Sequence, residues 1–187
     1  LRELPMKICE LANEHSCDLL LLAGDLFDGN ATRDSIYAVK NALEEMAVPV
    51  FITPGNHDFC SASSPYLTES WPENVHIFTA STIESIGLPA LNCRVYGAGF
   101  TSMDCPSLLE AFQAEDNMTA IGILHGDPTQ GTSPYNPITQ AQVAGSGFAY
   151  LALGHIHKAG SLRAGDTLCL WPGCPMGRGY DETGVKG

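Results

Sequence analysis

Val50-Phe51-Ile52-Thr53-Pro54-Gly55-Asn56-His57-Asp58 is the stretch on which the reading of this chain turns. Its first three residues are a short apolar run of the kind that becomes a buried strand. Gly55 then lets the backbone bend sharply. The bend carries an amide oxygen, an imidazole and a carboxylate in consecutive positions. Asn and Asp favour turns because their side chains hydrogen-bond the local backbone, but His57 adds nothing to turn formation. A strand that empties into such a loop points to chemistry.

Working outward, residues 4–14 place Leu4, Ile8, Leu11 and Ala12 at helical spacing. Residues 18–23 form a continuous apolar run, as expected of a strand covered on both faces, and end in Gly24-Asp25-Leu26-Phe27-Asp28-Gly29-Asn30. A second helix over residues 33–47 turns Ile36, Val39, Leu43 and Met46 inward, and Pro49 marks its exit. This alternation predicts an α/β chain with a mostly parallel sheet under helical cover. In such sheets ligands gather at the carboxyl ends of the strands.

Beyond the central stretch, residues 76–78, 83–86 and 93–96 read as short antiparallel strands, and 106–114 as a helix with Pro in its first turn and Leu108, Leu109 and Phe112 apolar. A strand over 120–124 delivers His125-Gly126-Asp127. After a short helix near 138–144, a strand over 150–153 delivers Gly154-His155-Ile156-His157. Residues 161–163 and 167–171 form a hairpin around Ala164-Gly165-Asp166, followed by a Gly- and Pro-rich segment to residue 179.

Composition bounds the function. A chain of 187 residues is read as one domain, residues 1–187, able to bury a sizeable core. No apolar run is long enough to span a bilayer. A formal net charge of −12 with only nine Lys and Arg repels phosphate backbones, so the electrostatic footprint of a free-standing nucleic-acid binder is missing. Any action on DNA needs bound cations, a partner chain or a further segment. The seven cysteines are odd in number and contain no CxxC pair. They read as reduced, mostly buried thiols, Cys60 among them, and place the protein in the cytoplasm.

Four apolar strands thus each end in a polar cluster: Asp25, then Asn56-His57-Asp58, then His125, then His155 and His157. Four of the six histidines occupy these ends. If the strand ends converge, they assemble the mixed oxygen and nitrogen donor set that suits divalent Mn, Fe or Zn. Gly24-Asp25-Leu26-Phe27-Asp28, Gly55-Asn56-His57-Asp58, His125 and Gly154-His155-Ile156-His157 together resemble, in order, four of the five motifs of the calcineurin-like metallophosphoesterase family.

That resemblance implies a two-sheet sandwich flanked by helices (αββα) and two metal ions, Mn foremost, bridged by one carboxylate. By motif, Asp25 would bridge, Asn56, His125 and His155 would hold one metal, and His157 the other. His57 would sit at the leaving group with Asp58 orienting its ring, and Asp28 is given a structural role. The family's first motif, Asp-x-His, is not found before Gly24. The chain is therefore expected to lack the first strand and to bind one metal weakly, and, because residues 182–187 read as a turn entering a further strand, to be truncated at both ends. Residues 24–28 with Trp171-Pro172-Gly173-Cys174-Pro175 are most similar to SbcD-type DNA repair exonucleases, which implies DNA as substrate, with a homodimer or an ATPase as partner. Lys158, Arg163 and Arg178 are read as lying near the site end, within reach of substrate phosphates. The alternatives are a phosphatase or phosphodiesterase acting on small substrates, and a non-catalytic scaffold.

Overall fold

The computed structural model of the chain describes residues 3–29, 31–114, 117–177, 180 and 182–184. In chain order these form α1 (Leu4–Glu14), β1 (Leu20–Leu22), α2 (Arg33–Glu44), β2 (Val50–Ile52), α3 (Pro65–Thr68), β3 (Val75–Ile77), β4 (Glu84–Leu88), β5 (Cys93–Gly97), β6 (Thr119–His125), α4 (Gln140–Gly145), β7 (Tyr150–Gly154), β8 (Gly160–Ala164) and β9 (Thr167–Trp171). The strands make two sheets, one of three strands in the order β1-β2-β3 and one of six in the order β4-β5-β6-β7-β9-β8. The small sheet is parallel throughout. In the large one β5, β6, β7 and β9 run parallel, and the edge strands β4 and β8 are antiparallel.

The period-two geometry of strands sorts the apolar residues into three core layers. On β2, Val50 and Ile52 face the helix layer with Val39, Ala42 and Leu43 of α2. Phe51 faces the other way, into a layer with Phe78, Val95, Ile123 and Ala152 that fills the space between the sheets. On β7, Leu151 and Leu153 turn outward to pack with Val143 of α4 and Phe148. The order helix, sheet, sheet, helix is the αββα sandwich implied above. Helix starts carry local signals: Thr32 with Ser35 and Thr139 with Gln142 form capping boxes at α2 and α4.

Three expectations are corrected. The strand expected over residues 76–78 spans 75–77, and these residues are not antiparallel to 83–86. As β3 they run parallel to β2 in the small sheet, in register Val50↔Val75, while only β4 and β5 form the antiparallel pair. The helix expected over 106–114 is a turn. Ala111 adopts a left-handed φ of 57°, which ends helical propagation. The Leu108 amide donates to Asn136 Oδ1 at 2.8 Å instead of to its own chain segment. Leu11 is exposed, because α1 turns Cys9 and Ala12 inward with Met6 partly covered. The hairpin near the end forms as expected, as β8 paired with β9. No helix among the described residues is long and apolar enough to cross a membrane.

Candidate metal centre

The strand ends converge across the sandwich rather than along one sheet. Register Leu22↔Ile52 sets the loops after β1 and β2 side by side, and register His125↔Gly154 sets His155 next to His125. Packing of the two sheets brings these pairs together. The ligand atoms of Asp25, His125 and His155 lie within 4.8 Å of one another. Asn56 Oδ1 is 2.9 Å from His125 Nε2 and 3.1 Å from His155 Nδ1, and Asp25 Oδ2 is 3.4 Å from His125 Nε2. Backbone strain accompanies this convergence: Asp25 and His155 hold φ of 55° and 93°, conformations that L residues adopt only when the surroundings enforce them. Close approach requires glycine beside them. A Cβ on Gly24 would lie 2.5 Å from His125 Nδ1, and one on Gly154 would run into the Ala23 carbonyl.

The chemistry of the donors fits a divalent cation. His125 is fully buried, and its Nδ1–H donates to the Ala23 carbonyl at 2.9 Å, which leaves the Nε2 lone pair facing the oxygens of Asn56 and Asp25. Lone pairs aimed at one another are repulsive unless a positive charge lies among them, and a backbone acceptor at the far nitrogen is how ligating imidazoles are usually fixed. Burial, then the neighbouring His125, push the His155 imidazole below its usual range, favouring the neutral form a metal requires. Aromatic rings hold both imidazoles: Phe100 meets His125 edge-on at 5.4 Å between centroids, and Tyr135 lies 5.0 Å from His155.

The expected His57–Asp58 pair is not formed. Asp58 is buried, and Oδ1 accepts from the amides of Asp25 (3.2 Å) and Gly55 (2.7 Å). Its Oδ2 accepts from the amides of Leu26 (2.8 Å) and Phe27 (3.2 Å) and from the Tyr66 hydroxyl (2.5 Å). Five donors outcompete one imidazole for a buried carboxylate, so Asp58 ties the Asp25 loop to the Asn56 loop. Burial raises its carboxyl above the usual range, opposed by the Tyr66 hydroxyl and the Gly55 and Phe27 amides. The partner of His57 is Asp28, with Nδ1 3.2 Å from Oδ1 and both groups half-exposed. The His57 amide donates to Asp25 Oδ1 at 3.0 Å, which ties the backbone of that residue to the Asp25 carboxylate.

His157 is the predicted ligand that the structure does not bring into the cluster. Its ring is exposed, and Nδ1 meets the Glu182 carboxylate. Cys174 and Glu182 lie beside it, the Cys174 amide donating to the His157 carbonyl at 3.0 Å. Lys158 and Arg163 are exposed, and Arg178 lies outside the described residues, as do Asn30 and residues 185–187. Sequence reasoning missed Tyr66, Asn136 and Asp127. Asn136 is buried and donates to the His125 carbonyl at 2.8 Å, supporting that strand end. Asp127 accepts from the amide and hydroxyl of Thr129 at 2.8 and 2.6 Å, closing the loop after β6. The signal for Asp127 was its place two residues past His125, whereas Tyr66 and Asn136 carry none.

Comparison with known proteins agrees with this architecture. A family model described as calcineurin-like phosphoesterase matches residues 2–159. The Bacillus subtilis (strain 168) protein named "Uncharacterized metallophosphoesterase YhaO" is 34% identical over 181 residues, which covers 91% of this chain and 44% of that protein. The chain thus spans less than half the length of that curated relative. The crystal structure of TT1561 of Thermus thermophilus aligns with a TM-score of 0.61 at 15% identity, covering 91% of this chain and 83% of that one, a likeness of fold. Since the family match runs from the first helix through the last of the histidine-bearing loops, the chain belongs to the calcineurin-like phosphoesterase family.

Proposed function

We propose that this chain is a phosphodiesterase that holds a divalent cation, manganese foremost, on Asp25, Asn56, His125 and His155, and protonates the departing oxygen with His57. The family's chemistry is metal-dependent phosphoester hydrolysis. The observation that carries the assignment of residues is the facing of the His125 Nε2 lone pair and two side-chain oxygens inside 3.4 Å. A cation bound there supplies positive charge to the phosphoryl oxygens and acidity to a water. The chain's own residues do the rest. Asp28 holds the His57 ring by Nδ1, so Nε2 presents the proton. Asp58 keeps the two donor loops in one arrangement. Hydrolysis breaks the bond from phosphorus to the departing alcohol, whose oxygen takes the His57 proton, while phosphorus gains the oxygen of water. A second cation, which the resemblance implies, would rest on Asp25 and His157, with Glu182 as an added anionic neighbour.

A second reading, a DNA exonuclease, is favoured by one observation: the 171–175 segment packs against the histidine-bearing loop, where a Cβ on Gly173 would lie 2.7 Å from the His157 carbonyl oxygen. In that case a homodimer or ATPase partner would supply the positive charge that a chain of net charge −12 lacks. The test is turnover of a small phosphodiester, a phosphomonoester and linear DNA with manganese, followed by chelator. Diester hydrolysis abolished by chelator is expected. His57→Ala should slow alkyl leaving groups about 10²–10⁴-fold and p-nitrophenolate far less, because a good leaving group needs little protonation. Turnover that persists in chelator would refute the metal assignment, and inertness towards every substrate with manganese bound would favour a scaffold.

A further inference from the structure

A cleft of about 310 Å³ opens beside His57, at the lower end of the range that small-molecule sites occupy. Its walls include the apolar side chains of Phe27, Ile36 and Phe59 and the hydroxyls of Ser61 and Ser63. We infer that this cleft receives the departing alcohol of the substrate, and that this alcohol is a neutral, flat group of nucleoside size carrying no second phosphate. The inference rests on the phosphodiesterase reading and narrows it to a substrate class.

Position comes first. His57 borders the cleft, and a group that protonates the departing oxygen stands on the leaving-group side of phosphorus. Whatever fills the cleft is therefore attached to that oxygen. Charge comes second. Among the described residues no Lys or Arg lines the cleft, and its one carboxylate, on Asp58, is turned inward to amides and Tyr66. A second phosphate placed there would meet no cation, in a chain of net charge −12. Shape comes third. Phe59 is half-buried yet belongs to none of the hydrophobic clusters found among the described residues, whereas Phe27 is a core member. A ring walling a cleft without a core role is a stacking surface for a planar base. Ser61 and Ser63, 3.3 Å apart through their hydroxyls, can each donate or accept toward a heterocycle edge. The segment is held in place by the Cys60 amide, which donates to the Phe100 carbonyl at 2.8 Å, so it is preorganised.

The experiment pairs two manganese-dependent substrates of matched leaving-group basicity, a dinucleoside monophosphate that releases a nucleoside and the corresponding nucleoside methyl phosphate that releases methanol. Wild type should prefer the first, and Phe59→Ala should reduce that ratio of nucleoside release to methanol release roughly tenfold, as loss of base–aromatic stacking does. Ser63→Lys should raise relative turnover when the departing nucleoside carries an extra phosphate. A binding arm needs no metal: thymidine titrated into the metal-free protein and followed by NMR should bind more tightly than thymidine 3′,5′-bisphosphate, and Phe59→Ala should weaken it about tenfold. Hydrolysis without nucleoside preference, together with absence of thymidine binding at the cleft, overturns the inference and leaves the phosphodiesterase reading standing. Thymidine binding lost in Phe59→Ala but with neither diester hydrolysed supports the cleft and overturns the hydrolase reading instead.

Discussion

Replacing Asp58 by Asn separates its observed role from the ring-orienting one that its position next to His57 suggests. The carboxylate oxygens accept five hydrogen bonds, Oδ1 from two backbone amides and Oδ2 from two amides and the Tyr66 hydroxyl. An Asn side chain retains one oxygen and points an NH2 group along the other direction. With NH2 toward the Oδ1 side, the Asp25 and Gly55 amides lose their acceptor. With NH2 toward the Oδ2 side, the Leu26 and Phe27 amides lose theirs, although Tyr66 can rotate its hydroxyl to accept. Either way two backbone N–H groups in a buried setting go unsatisfied, at about 1–3 kcal/mol each, giving about 2–6 kcal/mol. For a chain of this length that corresponds to a fall in Tm of roughly 4–24 °C. Tyr66→Phe, which removes one donor to a carboxylate still held by four amides, should cost about 1.5–3 kcal/mol. Thermal and denaturant unfolding measure both. The pH–rate profile of Asp58→Asn should keep the wild-type shape, because the carboxylate does not touch the His57 ring. A variant within 1 kcal/mol of wild type whose pH–rate profile has moved would refute the reasoning and restore Asp58 as the partner of His57.

Asp28→Asn should do the opposite: stability stays within about 0.5 kcal/mol, as for exposed substitutions generally, while hydrolysis of diesters with alkyl leaving groups slows and release of p-nitrophenolate changes little, because the His57 ring loses the carboxylate that holds its Nδ1. Asp127 is a depressed carboxyl: burial raises it, but the Thr129 hydroxyl and amide, Ser133 and the Gln130 amide together outweigh that. The stabilisation it contributes is complete above the unfolded value of 3.8 and is lost as pH falls through the lower folded value. Unfolding titrations should therefore show Asp127→Ala about 1–3 kcal/mol less stable at pH 7, with the gap closing below pH 3.8. Thiol labelling of the native protein should modify exposed Cys17 first and half-buried Cys174 more slowly. The thiols of Cys60, Cys105 and Cys169, pushed up to about 11 by burial, with Asp58 adding to the shift at Cys60, should react only on unfolding.

What the sequence made legible was local. Apolar runs of strand length leading to Asp, Asn or His with a Gly adjacent to it marked β1, β2, β6 and β7 with their loops, because burial on both faces and tight exits leave a compositional trace. Partnership across the fold leaves none. Leu108, Leu109 and Phe112 have the spacing of a helix, but the acceptor that holds their turn belongs to Asn136, 28 positions away. Residues 75–77 look like any short strand, and only packing against β2 assigns them to the small sheet. His57 and Asp58 are neighbours in sequence that face different surroundings, and the carboxylate that meets the imidazole comes from Asp28 on the other loop. Likewise, the four-histidine pattern does not reveal that His157 turns toward Glu182.

The donor cluster depends on two registers and one interface at once. Asp25 and Asn56 share a sheet through Leu22↔Ile52, and His125 and His155 share the other through His125↔Gly154. Slipping either pair by one residue turns every side chain of a strand to the opposite face, which would send Phe51 or Ile123 out of the layer between the sheets. Register is thus enforced by apolar burial along the strands, and the polar residues at the ends inherit positions they do not themselves stabilise. The strained φ of Asp25 and His155 is consistent with that division. Asp58 is the exception, a polar residue that fastens the two loops directly, so damage to it should loosen metal binding even where both sheets stay intact.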